Sequence, residues 1–149
     1  MIKVLFICHG NICRSPLAEY MLRDLLIKRG LSDEIMVASA ATSSEELGNP
    51  IYPPMQKVMR SHGLDPSGHA ARRMRKSDYE EFDYIIGMDE ENRRNLLRFF
   101  DNDPEGKISL LMDHTGRPRA VADPWYTRDF EATWKDVVEG CSAFLDTLQ

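Results

Sequence analysis

A chain of 149 residues, 42% hydrophobic and 29% charged, is long enough for a single domain (residues 1–149) with a core of its own. Its formal net charge of −5 argues against nucleic acid as a main partner, because phosphate backbones attract basic surfaces. The apolar start MIKVLFIC is too short for a membrane span or a usual signal peptide. Three cysteines and four scattered histidines make neither a disulfide framework nor a zinc site, so a cytoplasmic protein with reduced thiols, without metal or membrane, is expected.

IKVLFIC (2–8) is β-rich and almost wholly apolar, the pattern of a parallel strand buried on both faces. A helix follows, with Ser15 a natural N-cap, Pro16 a natural first residue, Leu17, Ala18, Met21, Leu22, Leu25 and Leu26 at helical spacing, and Gly30 as its stop. EIMVASA (34–40) reads as the second strand. A polar stretch containing Gly48, Pro50, Pro53 and Pro54 leads into a helix ending near His62. The basic run ARRMRK (71–76) reads as a solvated face. SDYEEF (77–82) opens with a capping-box pattern, Ser77 and Glu80. DYIIGM (83–88) is the third strand, Asp89 caps the helix after it, and KISLLM (107–112) is the fourth. A long loop from Asp113 to Thr127 precedes a last helix that buries Phe130, Trp134, Val137, Val138, Cys141, Leu145 and Leu148 on one stripe.

Strands alternating with helices imply an α/β domain with a parallel sheet. Such sheets bind ligands beyond the C-terminal ends of their strands. The candidates are therefore Cys8–Ser15, Ser39–Thr42, Met88–Asp89 and the loop after the fourth strand.

The first of these, CHGNICRS, stands between a buried strand and a helix N-terminus. Five residues between Cys8 and Arg14 can curl so that backbone N–H groups converge on an anion, aided by the helix dipole. Gly10 is free to adopt positive φ, and Asn11 tolerates it. Arg14 can grip two phosphate oxygens with its planar fork. Ser15 can cap the helix or donate to a thiolate. The donors that hold an oxyanion also stabilise a thiolate at Cys8, which makes it a nucleophile aimed at phosphorus. The nucleotide P-loop and the dinucleotide fingerprint are both absent. A phenolate leaving group, with a pKa of about 10, calls for an acid at neutral pH. Asp123, in ADPWYTRDF, is the candidate, on a loop stiffened by Pro124 and followed by two aromatics, Trp125 and Tyr126, that can wall in a ring. His9 lies within the cradle but projects to its rim. His69 is a candidate loop support.

With both segments in view, the chain resembles the low molecular weight protein tyrosine phosphatases from Val4 to Leu148, most specifically in VLFICHGNICRSPLAE (4–19) and DPW (123–125). SAATSSEELGNP (39–50), GHAAR (68–72), FDYIIGMDEEN (82–92) and DFEATW agree in order and spacing. The resemblance implies a four-stranded parallel sheet flanked by helices on both faces, and no metal or cofactor. It implies hydrolysis of phosphotyrosine and small aryl phosphates through a phosphocysteine on Cys8. Arg14 would hold the phosphoryl group, and Asp123 would act as acid and then base. His9, Gly10, Asn11, Ile12, Cys13 and Ser15 would form the phosphate cradle, with Ser15 supporting the thiolate. Ser39 and His69 would hold the loop through Asn11. Ile12, Glu45, Trp125 and Tyr126 would line the crevice. Cys13 would be able to form a reversible disulfide that shields Cys8. The implied partners are tyrosine-phosphorylated proteins and a tyrosine kinase, met by a monomer.

Many members carry an aromatic near position 45, where this chain has Glu45-Glu46; that removes one wall and adds negative charge. Two relatives on the same scaffold compete. Protein arginine phosphatases have a smaller threonine at the place of Ile12, and the bulkier Ile12 favours a flat phenyl ring. Arsenate reductases use further cysteines in mid-chain, and this chain has none between Cys13 and Cys141.

Overall fold

The computed structural model describes residues 1–149. Four strands, β1 (Ile2–Cys8), β2 (Ile35–Ala41), β3 (Tyr84–Gly87) and β4 (Ile108–Leu110), form one parallel sheet in the order β2-β1-β3-β4. The helices are α1 (Arg14–Lys28), α2 (Pro53–Ser61), α3 (Asp78–Glu81), α4 (Glu90–Phe99), α5 (Pro124–Thr127) and α6 (Phe130–Thr147). β1 lies in the interior of the sheet, in register with β2 from Ile2↔Ile35 to Cys8↔Ala41.

Side chains alternate across a strand, so β1 feeds two cores. Val4, Phe6 and Cys8 join the larger one with Leu17, Leu22 and Leu26 of α1 and Val137, Cys141, Phe144 and Leu145 of α6. Leu5 and Ile7 join the smaller one with Met74, Tyr79, Phe82, Leu96 and Phe100. This two-sided burial explains the uninterrupted apolar run of β1. It also puts helices on both faces, as expected.

Several local expectations need correction. α1 begins at Arg14, with Cys13 at the N-cap position and no side-chain cap. Ser15 and Pro16 are therefore the second and third helical residues, and the Ser15 hydroxyl is engaged elsewhere. The Ser77–Glu80 capping box does not form. Instead the buried Asp78 carboxylate accepts from Arg75 N and from both Nη atoms of Arg72. The basic run is thus not simply a solvated face: Ala71 and Met74 are buried and Arg72 is ion-paired. β4 stops at Leu110 rather than 112. The Asp113 carboxylate takes the Leu110 N–H at 2.9 Å, and a 3₁₀ turn, Leu111–His114, follows. Within the long loop, Pro124–Thr127 is the short helix α5.

The C-terminal stripe missed its most constrained position. Phe144 is fully buried, and at Gly140 an added Cβ would stand 2.5 Å from Leu111 Cγ and 3.1 Å from Met112 Sδ. α6 and the 3₁₀ turn touch there with no room for a methyl group. Gly140→Ala should therefore cost about 2 kcal/mol through overpacking, despite the gain in helix propensity. A melting temperature lower by roughly 4–8 °C is expected. An unchanged or raised value would contradict this account of the contact.

Candidate active site

Three of the four strand-end segments meet around one cavity of about 500 Å³, lined among others by Cys8, Ile12, Arg14, Asp89, Asp123 and Trp125; residues 39–42 do not line it. Its floor is the loop between β1 and α1. The carbonyls of Cys8, His9, Asn11, Ile12 and Cys13 accept from Thr42, Ser43, His69, Tyr52 and Leu17 respectively. With these acceptors tied to flanking segments, the loop's N–H groups are left for an anion. α1 adds to this. It has no capping side chain and no acidic residue in its first turn, so its N-terminal donors and dipole are uncompensated.

The left-handed residue of the loop is Asn11, at φ 58°, and not Gly10. Asn11 is wholly buried and its amide is fully used. Nδ2 donates to Ser15 Oγ and to Ser39 Oγ, both at 2.9 Å, and Oδ1 accepts from Arg72 N at 3.1 Å. His69 Nε2 lies 2.6 Å from the Asn11 carbonyl, so that nitrogen carries the proton. Ser39 in turn donates to Glu19 at 2.5 Å. Ser39 and His69 thus both contact Asn11, one through its side chain and one through its carbonyl.

These bonds orient the hydroxyl next to the sulfur. Ser15 Oγ lies 3.0 Å from Cys8 Sγ. It already accepts from Asn11, and its single proton is left to donate to Cys8. Burial, and the neighbouring Cys8, push the Cys13 thiol up, so the second thiol of the loop stays protonated.

Arg14 is nearly buried and held from the far side of the cavity. Nη1 donates to Asp89 Oδ2 at 2.8 Å and to the Val121 carbonyl at 3.2 Å; Nη2 donates to Asp123 Oδ2 at 3.3 Å. Three of its five N–H groups are thereby used, and the remaining Nε–H and Nη2–H lie side by side as a fork for two oxygens. Burial lowers the Arg14 pKa, but Cys8, Asp123 and Asp89 raise it more, and the net shift is upward.

Asp123 N-caps α5, accepting from Trp125 N at 3.0 Å through its other oxygen. The residues before it are pinned to α6. Ala122 N donates to Asp136 and the Ala122 carbonyl accepts from Thr133, while Val121 N donates to the Met88 carbonyl. The carboxylate is thus set by both β3 and α6.

At the rim, His9 is half exposed and pairs with Glu45 at 3.0 Å, which keeps its ring away from the cradle centre. Trp125 is 54% and Tyr126 82% exposed. Tyr52 lines the cavity and tilts against Trp125 at 5.4 Å between centroids, restoring an aromatic wall that Glu45 does not provide.

Sequence reasoning missed Asp89 as an Arg14 partner, though its place after β3 was flagged and its cap on Asn92 N was foreseen. It also missed Glu19, Tyr52 and Arg72. Glu19, within the segment 4–19, and Arg72, within 68–72, had a signal; Tyr52 had none.

A family model for low molecular weight phosphotyrosine protein phosphatase matches residues 3–149. The chain is 38% identical over 151 residues to the low molecular weight protein-tyrosine-phosphatase YfkJ of Bacillus subtilis, covering 100% of this chain and 97% of that protein. The crystal structure of YfkJ superimposes with a TM-score of 0.96, over 100% of this chain and 95% of that one. The human low molecular weight phosphotyrosine protein phosphatase is 42% identical over 149 residues, 97% of this chain and 94% of its own. The crystal structure of a Drosophila arginine phosphatase matches with a TM-score of 0.91 at 33% identity, covering 99% of this chain and 98% of that one. Agreement over nearly every residue, in sequence and in backbone, means that this chain belongs to the low molecular weight phosphotyrosine protein phosphatase family.

Proposed function

We propose that the chain hydrolyses phosphotyrosine through a covalent phosphocysteine on Cys8. The observation that carries this reading is the set of hydrogen bonds by which Asn11 turns the Ser15 hydroxyl onto Cys8 Sγ, in the cavity that also holds Arg14 and Asp123. The N–H groups of residues 9–14, Gly10 and Cys13 included, cradle the phosphoryl oxygens, and the free fork of Arg14 grips two of them. The Cys8 thiolate, accepting from Ser15, attacks phosphorus; an S–P bond forms as the P–O bond to the phenol breaks. The Arg14 donor passes from Asp123 to the phosphoryl group; the oxygen so freed takes up a proton from solvent, and Asp123 delivers that proton to the departing oxygen. A water molecule then gives a proton back to Asp123 and attacks phosphorus. The S–P bond breaks, phosphate leaves and the thiolate is restored.

The substrate ring stands between Ile12, Tyr52 and Trp125, with Tyr126 beside them. In keeping with its three free thiols, the reading puts the chain in the cytoplasm, as a monomer acting on tyrosine-phosphorylated proteins.

A second reading, arginine phosphatase, has support in the Drosophila structure. Ile12 speaks against it, because its bulk beside the loop suits a flat ring better than a flexible guanidinium stem. The deciding experiment measures kcat/KM for a phosphotyrosine peptide and the matched phosphoarginine peptide side by side. At least a tenfold preference for phosphotyrosine is expected, about the discrimination that one or two methylenes of pocket space can give. The reverse order would assign the chain to the arginine-directed branch.

A further inference from the structure

The charges that line the cavity are unexpected for a site that takes an anion. Glu45, Glu46, Asp89, Glu91 and Asp123 face one guanidinium, Arg14, and one imidazole, His9. Asp89 and Asp123 are accounted for, since both hold Arg14. The other three stand toward solvent. Glu45 pairs with His9, Glu46 accepts only from the Asn49 amide at 2.6 Å, and Glu91 has no protein partner. Arg73, which reaches Ser44, lies outside the lining, and Arg128, which donates to Tyr52 and stands 5.7 Å from the Trp125 ring centroid, brings a single positive charge to the aromatic side of the mouth against three glutamates. The cradle therefore offers a local attraction for phosphate at the bottom, beneath a mouth of opposite sign.

Such a mouth discriminates among phosphotyrosines. An acidic residue next to the phosphotyrosine would face Glu45, Glu46 or Glu91 at the mouth, and like-charge juxtaposition is an effective means of rejecting partners. A lysine or arginine there meets the carboxylates of Glu46 and Glu91, which have no cationic partner, and the exposed ring of Tyr126, which also attracts cations. We propose that this phosphatase selects phosphotyrosines flanked by basic residues, with Glu45, Glu46 and Glu91 as the specificity-determining side chains. The inference rests on the phosphotyrosine reading above and concerns the same cavity; it adds the sequence context of the substrate.

The test uses the whole chain and two phosphotyrosine peptides identical except for lysine or glutamate on both sides of the phosphotyrosine, with para-nitrophenyl phosphate as a third substrate. At low ionic strength the lysine peptide should have a kcat/KM about tenfold or more above the glutamate peptide, the difference lying in KM. Raising the salt toward 0.5 M should lower the value for the lysine peptide and raise it for the glutamate peptide, because the Debye length falls to a few ångströms. The combined change E45Q, E46Q and E91Q should shrink the ratio at least threefold. Equal rates on the two peptides, a preference for the glutamate peptide, or salt dependences of the same sign would each overturn the proposal while para-nitrophenyl phosphate is still hydrolysed. The wild-type salt dependence decides the matter even if the triple variant fails to fold. Failure on all three substrates would overturn the phosphotyrosine reading, and this inference with it.

Discussion

Replacing Cys8 by serine should remove turnover of every aryl phosphate, by about 10⁴-fold or more, while the protein remains folded. That is the scale lost when a nucleophile that works as part of a unit is deleted. A serine hydroxyl in the same cradle is far less nucleophilic than a thiolate, and the group beside it, the neutral Ser15 hydroxyl, is too weak a base to take its proton. The change itself is small in volume. Cys8 is buried at the end of β1, and its strand pairing with Ala41 uses backbone alone. The melting temperature should stay within about 3 °C of the parent, as expected for a near-isosteric change worth less than about 1.5 kcal/mol. Both quantities must be measured on the same preparation. Residual activity above a hundredth of wild type in a folded Cys8→Ser protein would rule out the phosphocysteine.

The second large effect is selective, and the selectivity is its point. Asp123→Asn keeps an oxygen to cap α5 at Trp125 N; its Nδ2 cannot accept from Arg14, but Arg14 keeps Asp89 and the Val121 carbonyl, so the loop geometry should hold. It removes the proton. Phenyl phosphate and phosphotyrosine, whose leaving groups have pKa values near 10, should lose about 10²–10³-fold in kcat, the usual worth of a positioned general acid. Aryl phosphates whose phenols carry strong electron-withdrawing groups leave without help and should lose far less in the phosphorylation step. A plot of log kcat/KM against leaving-group pKa should therefore be much steeper for the variant than for the parent. Parallel lines would mean that Asp123 only positions Arg14 and is not the acid.

What was legible in the sequence follows a physical pattern. β1 could be read because burial on both faces demands a continuous apolar run, and the place of the site followed from strands ending together on one side of a parallel sheet. Cys8, Arg14 and Asp123 could be proposed because each is a chemical type with few substitutes. Ser15 was read both as a helix cap and as a donor to the thiolate, and the choice stayed open for a clear reason. A serine before a helix supports two hydrogen-bonding roles, and which one prevails depends on Asn11, whose orientation in turn depends on Ser39 and Arg72, 28 and 61 residues away. Gly10 and Asn11 were both read as able to adopt positive φ, and it is Asn11, its buried amide bonded on both sides, that holds that conformation. Asp89 looked complete as a helix cap. Its second oxygen was free to bind Arg14, and only the packing of β3 beside β1 brings the two together. Tyr52 carried no signal, because its role comes from a ring meeting Trp125 and a backbone N–H meeting Ile12.

Asn11 also bears on how such a chain can change over generations. It ties together the helix start, the end of β2 and the segment before α3 through one amide group. An apolar replacement strands three partners at once, and they lie on three separate segments. The rim positions Glu45, Glu46 and Glu91 have at most one partner each among side chains. The architecture therefore separates what can drift from what cannot. New substrate preferences are one mutation away at the mouth, whereas the floor of the cavity is reachable only through inactive intermediates.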